Sequence, residues 1–400
     1  MPYGDCVVRD EGMVKCGSPM IWTQLIHDVP RNESSLENAF SALSLSRVGR
    51  LHKDVRLIRS STELYGKALK EMQLALCDAE RMHSNQVLMA CMLLGLYEMF
   101  EGPGLNSRRW IPHVQGAARL IELRGPGRHQ SWLAHRAFRA CRVGTIYSAI
   151  LWRKSTYLAT EEWLTVPWTN RHRPYPDRLI DLCTRIPGML AQYDEIMRRN
   201  VTVPPRLVRL LNECQDLQSR MNSWRKGMKK EAAIRWMKHE PADADPYPFE
   251  NEVWVANHFF LHAHMIYWAC SLVLAETVCD ILQALGLCNG EMPNASETVA
   301  LHELFDARDH ASNIIRAVPY CIQPEMGGLG AGVLNFPANL AFRFFKARGD
   351  VHITAWLVRV FQGLKARGLH GQTVLDDSAG STSELSAEST DSTTDQSGIE

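Results

Sequence analysis

The sequence predicts an all-α protein, a large multi-helix domain of helical hairpins followed by an acidic, Ser/Thr-rich C-terminal tail. Three observations carry that prediction. Apolar residues recur at helical spacing through Leu36–Leu51 and Thr62–Ala79, and helical patterning continues through Asp177–Met197 and Pro205–Trp236. The stretch from Asn85 to Pro126 reads as two helices joined by a turn, with its own start and stop signals. The long apolar run Val253–Ala275 carries Asn257, His258, His262 and His264, which suit a buried helix better than a membrane span.

The first two amphipathic helices carry a local basic run: Arg47, Arg50, Lys53, Arg56 and Arg59. The chain as a whole has 44 basic and 44 acidic side chains, so no global field draws it to nucleic acid. Without aromatic residues between them, these cations read as a solvated face rather than a phosphate-contacting one.

The hairpin follows. Ser84 or Asn85 can cap its first helix, nearly every residue from Val87 to Phe100 is apolar, and Gly102-Pro103 ends it. Such a helix is expected to be buried on all sides. The second helix opens near Pro112, presents a stripe at His113, Gly116, Leu120 and Leu123, and closes on Gly125 and Pro126. Gly116, Ala117 and Ala118 leave room for another helix to approach closely.

Next come Arg136, Arg139 and Arg142 at i, i+3 and i+6, expected to form salt bridges to neighbouring helices in preference to a docking face for an acidic partner. In "ATEEWLTVPW", Trp163 and Trp168 read as anchors that lock a connection onto the bundle. The cluster Arg225–Lys230 offers a weak nuclear-import signal. The Pro- and Asp-rich segment near 238–252 marks a loop or a lobe boundary.

His258 and His262 stand one helical turn apart and could chelate an ion, but Phe259 occupies the place where a zinc-peptidase pattern needs Glu, and no carboxylate or thiol completes the set. Core or interface histidines are the better reading. "GGLGAG" (Gly327 to Gly332) lacks both the dinucleotide-site spacing and a following Gly-Lys-Ser/Thr, and reads as a flexible turn into the final helices. The 11 cysteines are odd in number and scattered over apolar faces, which favours reduced thiols over a disulfide framework. After Gly371 the chain has seven acids, no Lys or Arg and no aromatic, so residues 371–400 are expected to be disordered.

Several phrases resemble, in order, the regulatory domain of fungal zinc-cluster transcription factors. They are "ALSLSRVGRLHKD" (from Ala42), "LYGKALKEMQLAL" (from Leu64), "LLGLYEMF" (from Leu93) and "HVQGAARLIELRGP" (from His113), then the stretches Phe138 to Trp168 and Asp177 to Leu190. The resemblance implies an all-helical module over 21–370 that controls an attached DNA-binding domain, a nuclear location and a role in metabolic or secondary-metabolite gene sets. One feature of that family is missing. Its zinc cluster needs six closely spaced cysteines, and the short N-terminus (1–20) holds only Cys6 and Cys16. A stand-alone regulator, a coding sequence read short and a shortened chain all fit this departure.

Two functions of different class follow. The resemblance implies a non-enzymatic transcriptional regulator that reaches DNA only indirectly, through another transcription factor, a homo-oligomer or a missing N-terminal module, with a small-molecule effector as a further partner and no membrane. The alternative is a helical enzyme such as a terpene-cyclase-like protein, which needs clustered carboxylates for magnesium. The adjacent pair Asp376-Asp377 lies in the tail, where it cannot shape a pocket. No residue is singled out as catalytic, cofactor-binding, metal-binding or DNA-binding, and no cofactor is expected.

Overall fold

The structure is a computed structural model that describes residue 29 and residues 32–101, 109–199, 204–228, 234–239, 247–255, 258–286 and 304–366. Cys6, Cys16, Gly102-Pro103, Lys229-Lys230 and the tail 371–400 lie outside the described residues.

Helix α1 (Ser34–His52) packs along α2 (Val55–Leu76), and both lean on α3 (Asn85–Glu101). The turn between α1 and α2 forms because Lys53 adopts a left-handed conformation, φ 54°, and Asp54 then caps α2 by accepting from the Arg56 amide at 2.9 Å. Helix α3 is buried on all sides, as its composition predicts: 12 of its 17 residues are buried. Ser84 is its cap, with its hydroxyl accepting from Val87 N at 3.1 Å. Its partner α4 (Trp110–Arg124) starts two residues before Pro112, which sits in the first turn, and stops at Gly125, φ 74°.

Helix α5 (Trp132–Leu151) lies against α3 and α4 on one side and, on the other, against α7 (Tyr175–Cys183) and α8 (Ile186–Arg198). The short α6 (Glu161–Thr165) carries Trp163, and the turn after it carries Trp168; both indoles are buried, as expected of anchors. Helix α9 (Pro204–Lys226) corrects the expected helix through Trp236. It ends at Gly227, where an added Cβ would meet the Tyr175 hydroxyl at 2.6 Å, and Arg235–Lys238 (β1) instead pairs antiparallel with Asn251–Trp254 (β2). This small ribbon leaves the fold all-α in class.

The C-terminal half is built around α10 (His258–Ala284). Phe260–Ala284 is long and apolar enough to cross a membrane by length and composition, yet 78% of its apolar window is buried inside the fold. It packs against α7, α8 and α9, and against α11 (Ala307–Arg316) and α13 (Gly327–Ala347). A short α12 (Val318–Cys321) precedes α13, and α14 (Val351–Ala366) closes the described chain. Fully buried Trp268, Phe344 and Phe345 show where this half draws its stability, each worth about 1.5–3 kcal/mol over exposure.

The glycine run is not a turn. Residues 327–332 are the opening of α13, entered through Gly327 at φ 46°. The sequence there has no Cβ for a packing reason: one at Gly330 would stand 1.9 Å from the Cys321 carbonyl oxygen, and one at Gly328 would stand 2.9 Å from the Phe100 ring. Helix α13 thereby docks directly onto α12 and onto α3.

Candidate functional site

The polar residues singled out in the sequence are mostly consumed by structure. Arg50 Nη2 donates to Glu101 at 2.7 Å, with Arg47 at 3.7 Å from the same carboxylate; Arg56 pairs with Asp54 and Arg59 with Glu63. Arg139 and Arg142 both reach Asp177, Arg142 also reaches Asp181, and Arg136 lies 4.7 Å over the Trp132 ring. Arg225 lies 5.3 Å over the ring of Tyr267. Arg47, Arg50, Arg139, Arg142 and Arg225 join one helix to another, whereas Arg56, Arg59 and Arg136 pair within or beside their own helix, Arg56 and Arg59 on the surface. His264 is buried and stacked on Trp268 at 5.5 Å; the side chain of His258 lies outside the described residues. Among the described residues, no three His, Cys, Asp or Glu side chains stand together in a way that would hold a metal ion.

What the folding of these helices creates is a cavity of about 170 Å³ where α3, α4 and α5 meet α10 and α13. Its floor is buried: Leu96 from α3, Ala117 from α4, Val143 and Tyr147 from α5, and Val333 and Phe336 from α13. Half-buried Met92, Met99, Trp110 and His262 ring the opening. The Tyr147 ring stacks on Phe336 with centroids 3.9 Å apart, so the back wall is an aromatic pair contributed by the two halves of the molecule.

Small residues hold the helices at this spacing. A Cβ at Gly95 would stand 3.2 Å from His113 Cβ, and one at Gly144 would stand 3.3 Å from Val114 Cγ1. A Cβ at Gly116 would lie 3.4 Å from Cys91 Sγ, which confirms that this glycine faces the partner helix. Ala117 and Ala140 line the cavity with short side chains, so the helices leave it room.

Electrostatically the cavity is nearly neutral. Burial lowers the pKa of His113, which favours the uncharged ring, and its Nε2 lies 3.3 Å from the Tyr65 hydroxyl. That hydroxyl donates to the buried Glu98 at 2.5 Å, and Glu98 pairs with Arg109 at 3.3 Å, so the charges stand behind the wall and are matched. Burial pushes the Cys91 thiol up to about 12 and Cys141 higher still; both stay protonated and unreactive at neutral pH. Tyr147, its phenol pushed well up by burial with the Cys270 and Cys183 thiols nearby, offers a ring face and no charge.

One signal for this site is local: the small residues of α4, which make room for a neighbouring helix. Part of that room is occupied by α3, and part is left open. The polar pair behind it was not visible, because Glu98 stands inside an otherwise apolar run.

Residues 23–324 match the family described as the fungal specific transcription factor domain. The chain is also similar to an uncharacterized protein of Emericella nidulans, AN5342, with 22% identity over 224 residues that cover 51% of this chain and 46% of that protein. The match thus spans less than half of that relative's length. No solved structure gives a significant match.

Proposed function

The chain belongs to the fungal-specific transcription factor domain family, and from that premise we propose that it regulates a secondary-metabolite gene set in the nucleus, through a DNA-bound partner. The observation that carries this reading is the family match across three quarters of the chain, over a helical fold whose arginines are spent on internal pairs. Residues 1–400 hold no six-cysteine cluster, so in this reading DNA is contacted by a partner or by a module joined to this chain. That partner is a zinc-cluster factor or a second copy of this chain joined to one, and the helical domain sets the output of the assembly.

The test is affinity purification of the tagged chain from fungal nuclei with mapping of its chromatin occupancy. Recovery of a zinc-cluster factor, with shared promoters upstream of biosynthetic genes, is the expected result. Absence of the chain from nuclei and chromatin overturns it.

A further inference from the structure

We propose that the cavity between α3, α4, α5, α10 and α13 is a binding site for a neutral, lipophilic small molecule of one or two rings carrying a single acceptor oxygen. Its volume of about 170 Å³ suits that size. Apolar protein cavities of about 150 Å³ stay dry and take up benzene. A ligand that fills an apolar site of this kind gains dispersion contacts along its lining.

The walls select the chemistry. Leu96, Val143, Val333 and the Tyr147–Phe336 pair supply hydrocarbon and aromatic surface. Met92 and Met99 at the rim can rearrange around ligands of differing outline. A carboxylate or ammonium would be desolvated here with no opposite charge to meet it, because Glu98 and Arg109 already satisfy each other. Besides Trp110, His113 and His262 in its lining, the wall offers one amide. The Asn335 amide lies in the wall, and its oxygen accepts from Asn339 Nδ2 at 3.2 Å, which leaves its NH₂ group as a donor for an acceptor such as a ketone or ether oxygen.

The site lies at a seam. Phe100 of α3 fits over Gly328, and Tyr147 of α5 stacks on Phe336, so both contacts across the seam join the N-terminal helices to α13. A molecule in the cavity touches both sides and tightens that junction. This gives the regulatory reading a small-molecule input, yet it is tested on the purified chain alone and so fails separately from the chromatin experiment.

The experiment uses the full chain with three probes: toluene, acetophenone and benzoate. Saturation-transfer NMR and thermal denaturation read binding, and hydrogen exchange maps it on the unaltered chain. Toluene and acetophenone are expected to bind and to raise the melting temperature, acetophenone several-fold tighter and benzoate at least tenfold weaker. Exchange is expected to slow in α3–α4 and in α13 together. Ala140→Phe and Val333→Phe, which fill the cavity from opposite sides, should each weaken toluene at least tenfold with an unchanged circular dichroism spectrum. Absence of toluene and acetophenone binding, equal binding of benzoate, protection confined to other helices, or binding that survives in folded filling variants overturns the proposal.

Discussion

Arg142 Nη1 donates to Asp177 Oδ1 at 3.1 Å between side chains that are only 2% and 3% exposed, tying α5 to α7 inside the core. Arg139 Nη2 binds the same carboxylate at 2.6 Å, and the Arg142 guanidinium lies 5.6 Å over Phe138 and 5.4 Å over Trp168. Removing Asp177 leaves the buried Arg142 guanidinium with Asp181 as its remaining carboxylate and takes a carboxylate from Arg139. Asp177→Ala should therefore lower stability by about 3–5 kcal/mol in urea unfolding. The double variant Arg142→Met/Asp177→Leu should lose less than the sum of the single changes, because it removes both charges together. Additive losses would show that the two residues act separately.

The glycines separate two causes of strain. Gly116→Leu pushes against Cys91 Sγ, a movable side-chain atom, and should cost about 1–3 kcal/mol through overpacking. Gly330→Ala adds a single methyl group to a helix, a change worth about 1 kcal/mol of stabilisation on propensity alone. Here that methyl meets the Cys321 carbonyl oxygen at 1.9 Å, and backbone must move. Net destabilisation of Gly330→Ala in chemical denaturation is the expected outcome; a gain in stability would mean that α12 shifts freely away from α13.

Much of this architecture is legible before folding is considered. The α3–α4 hairpin, the indole anchors Trp163 and Trp168, and the pairing of Arg139 and Arg142 all follow from local signals: caps, apolar spacing and i, i+3 geometry. The glycine run looks like a turn in sequence because a glycine that spares a clash and a glycine that frees a turn are alike there, and only the position of Cys321 tells them apart. Trp236 falls outside the helix for a related reason, since the helix end at Gly227 depends on Tyr175 from another element. The cavity depends on five helices whose lining residues lie up to 245 positions apart, Cys91 to Phe336, so no local window contains it.

Three buried histidines make stability depend on pH. Burial, aided by Arg124, lowers His129 to about 4 in spite of the two carbonyls that face its ring nitrogens; burial with Arg139 does the same for His135, and burial with Arg225 for His310. The unfolded chain takes up these protons near pH 6.5 while the folded chain does not. Stability is thus full above about 6.5 and falls as the pH drops toward about 4, by at most about 3 kcal/mol per histidine. His129→Gln should flatten the slope between pH 6.5 and 5, where most carboxylates are still ionised. An unchanged slope in urea titrations across that window would place the proton uptake elsewhere.

The final prediction concerns metal and DNA together. A structural zinc site contributes folding energy outright, so a chelator unfolds the module that depends on it. In this chain Cys91, Cys183, Cys214, Cys270 and Cys321 are buried free thiols in a continuous apolar core, and among the described residues no three His, Cys, Asp or Glu side chains stand together in a way that would hold a metal ion. Treatment with EDTA or 1,10-phenanthroline should leave the melting temperature of the purified chain unchanged. On the basic run of α1 and α2, Arg47 and Arg50 share the buried Glu101, whereas Arg56 and Arg59 lie in solvent beside Asp54 and Glu63. Phosphate contacts by Arg47 and Arg50 would have to break their pairs, and the exposed arginines read no bases, so binding to DNA should be weak, lost with added salt and indifferent to sequence. Nanomolar, sequence-specific binding by the purified chain, measured by fluorescence anisotropy at physiological salt, would overturn the proposal that residues 1–400 reach DNA only indirectly.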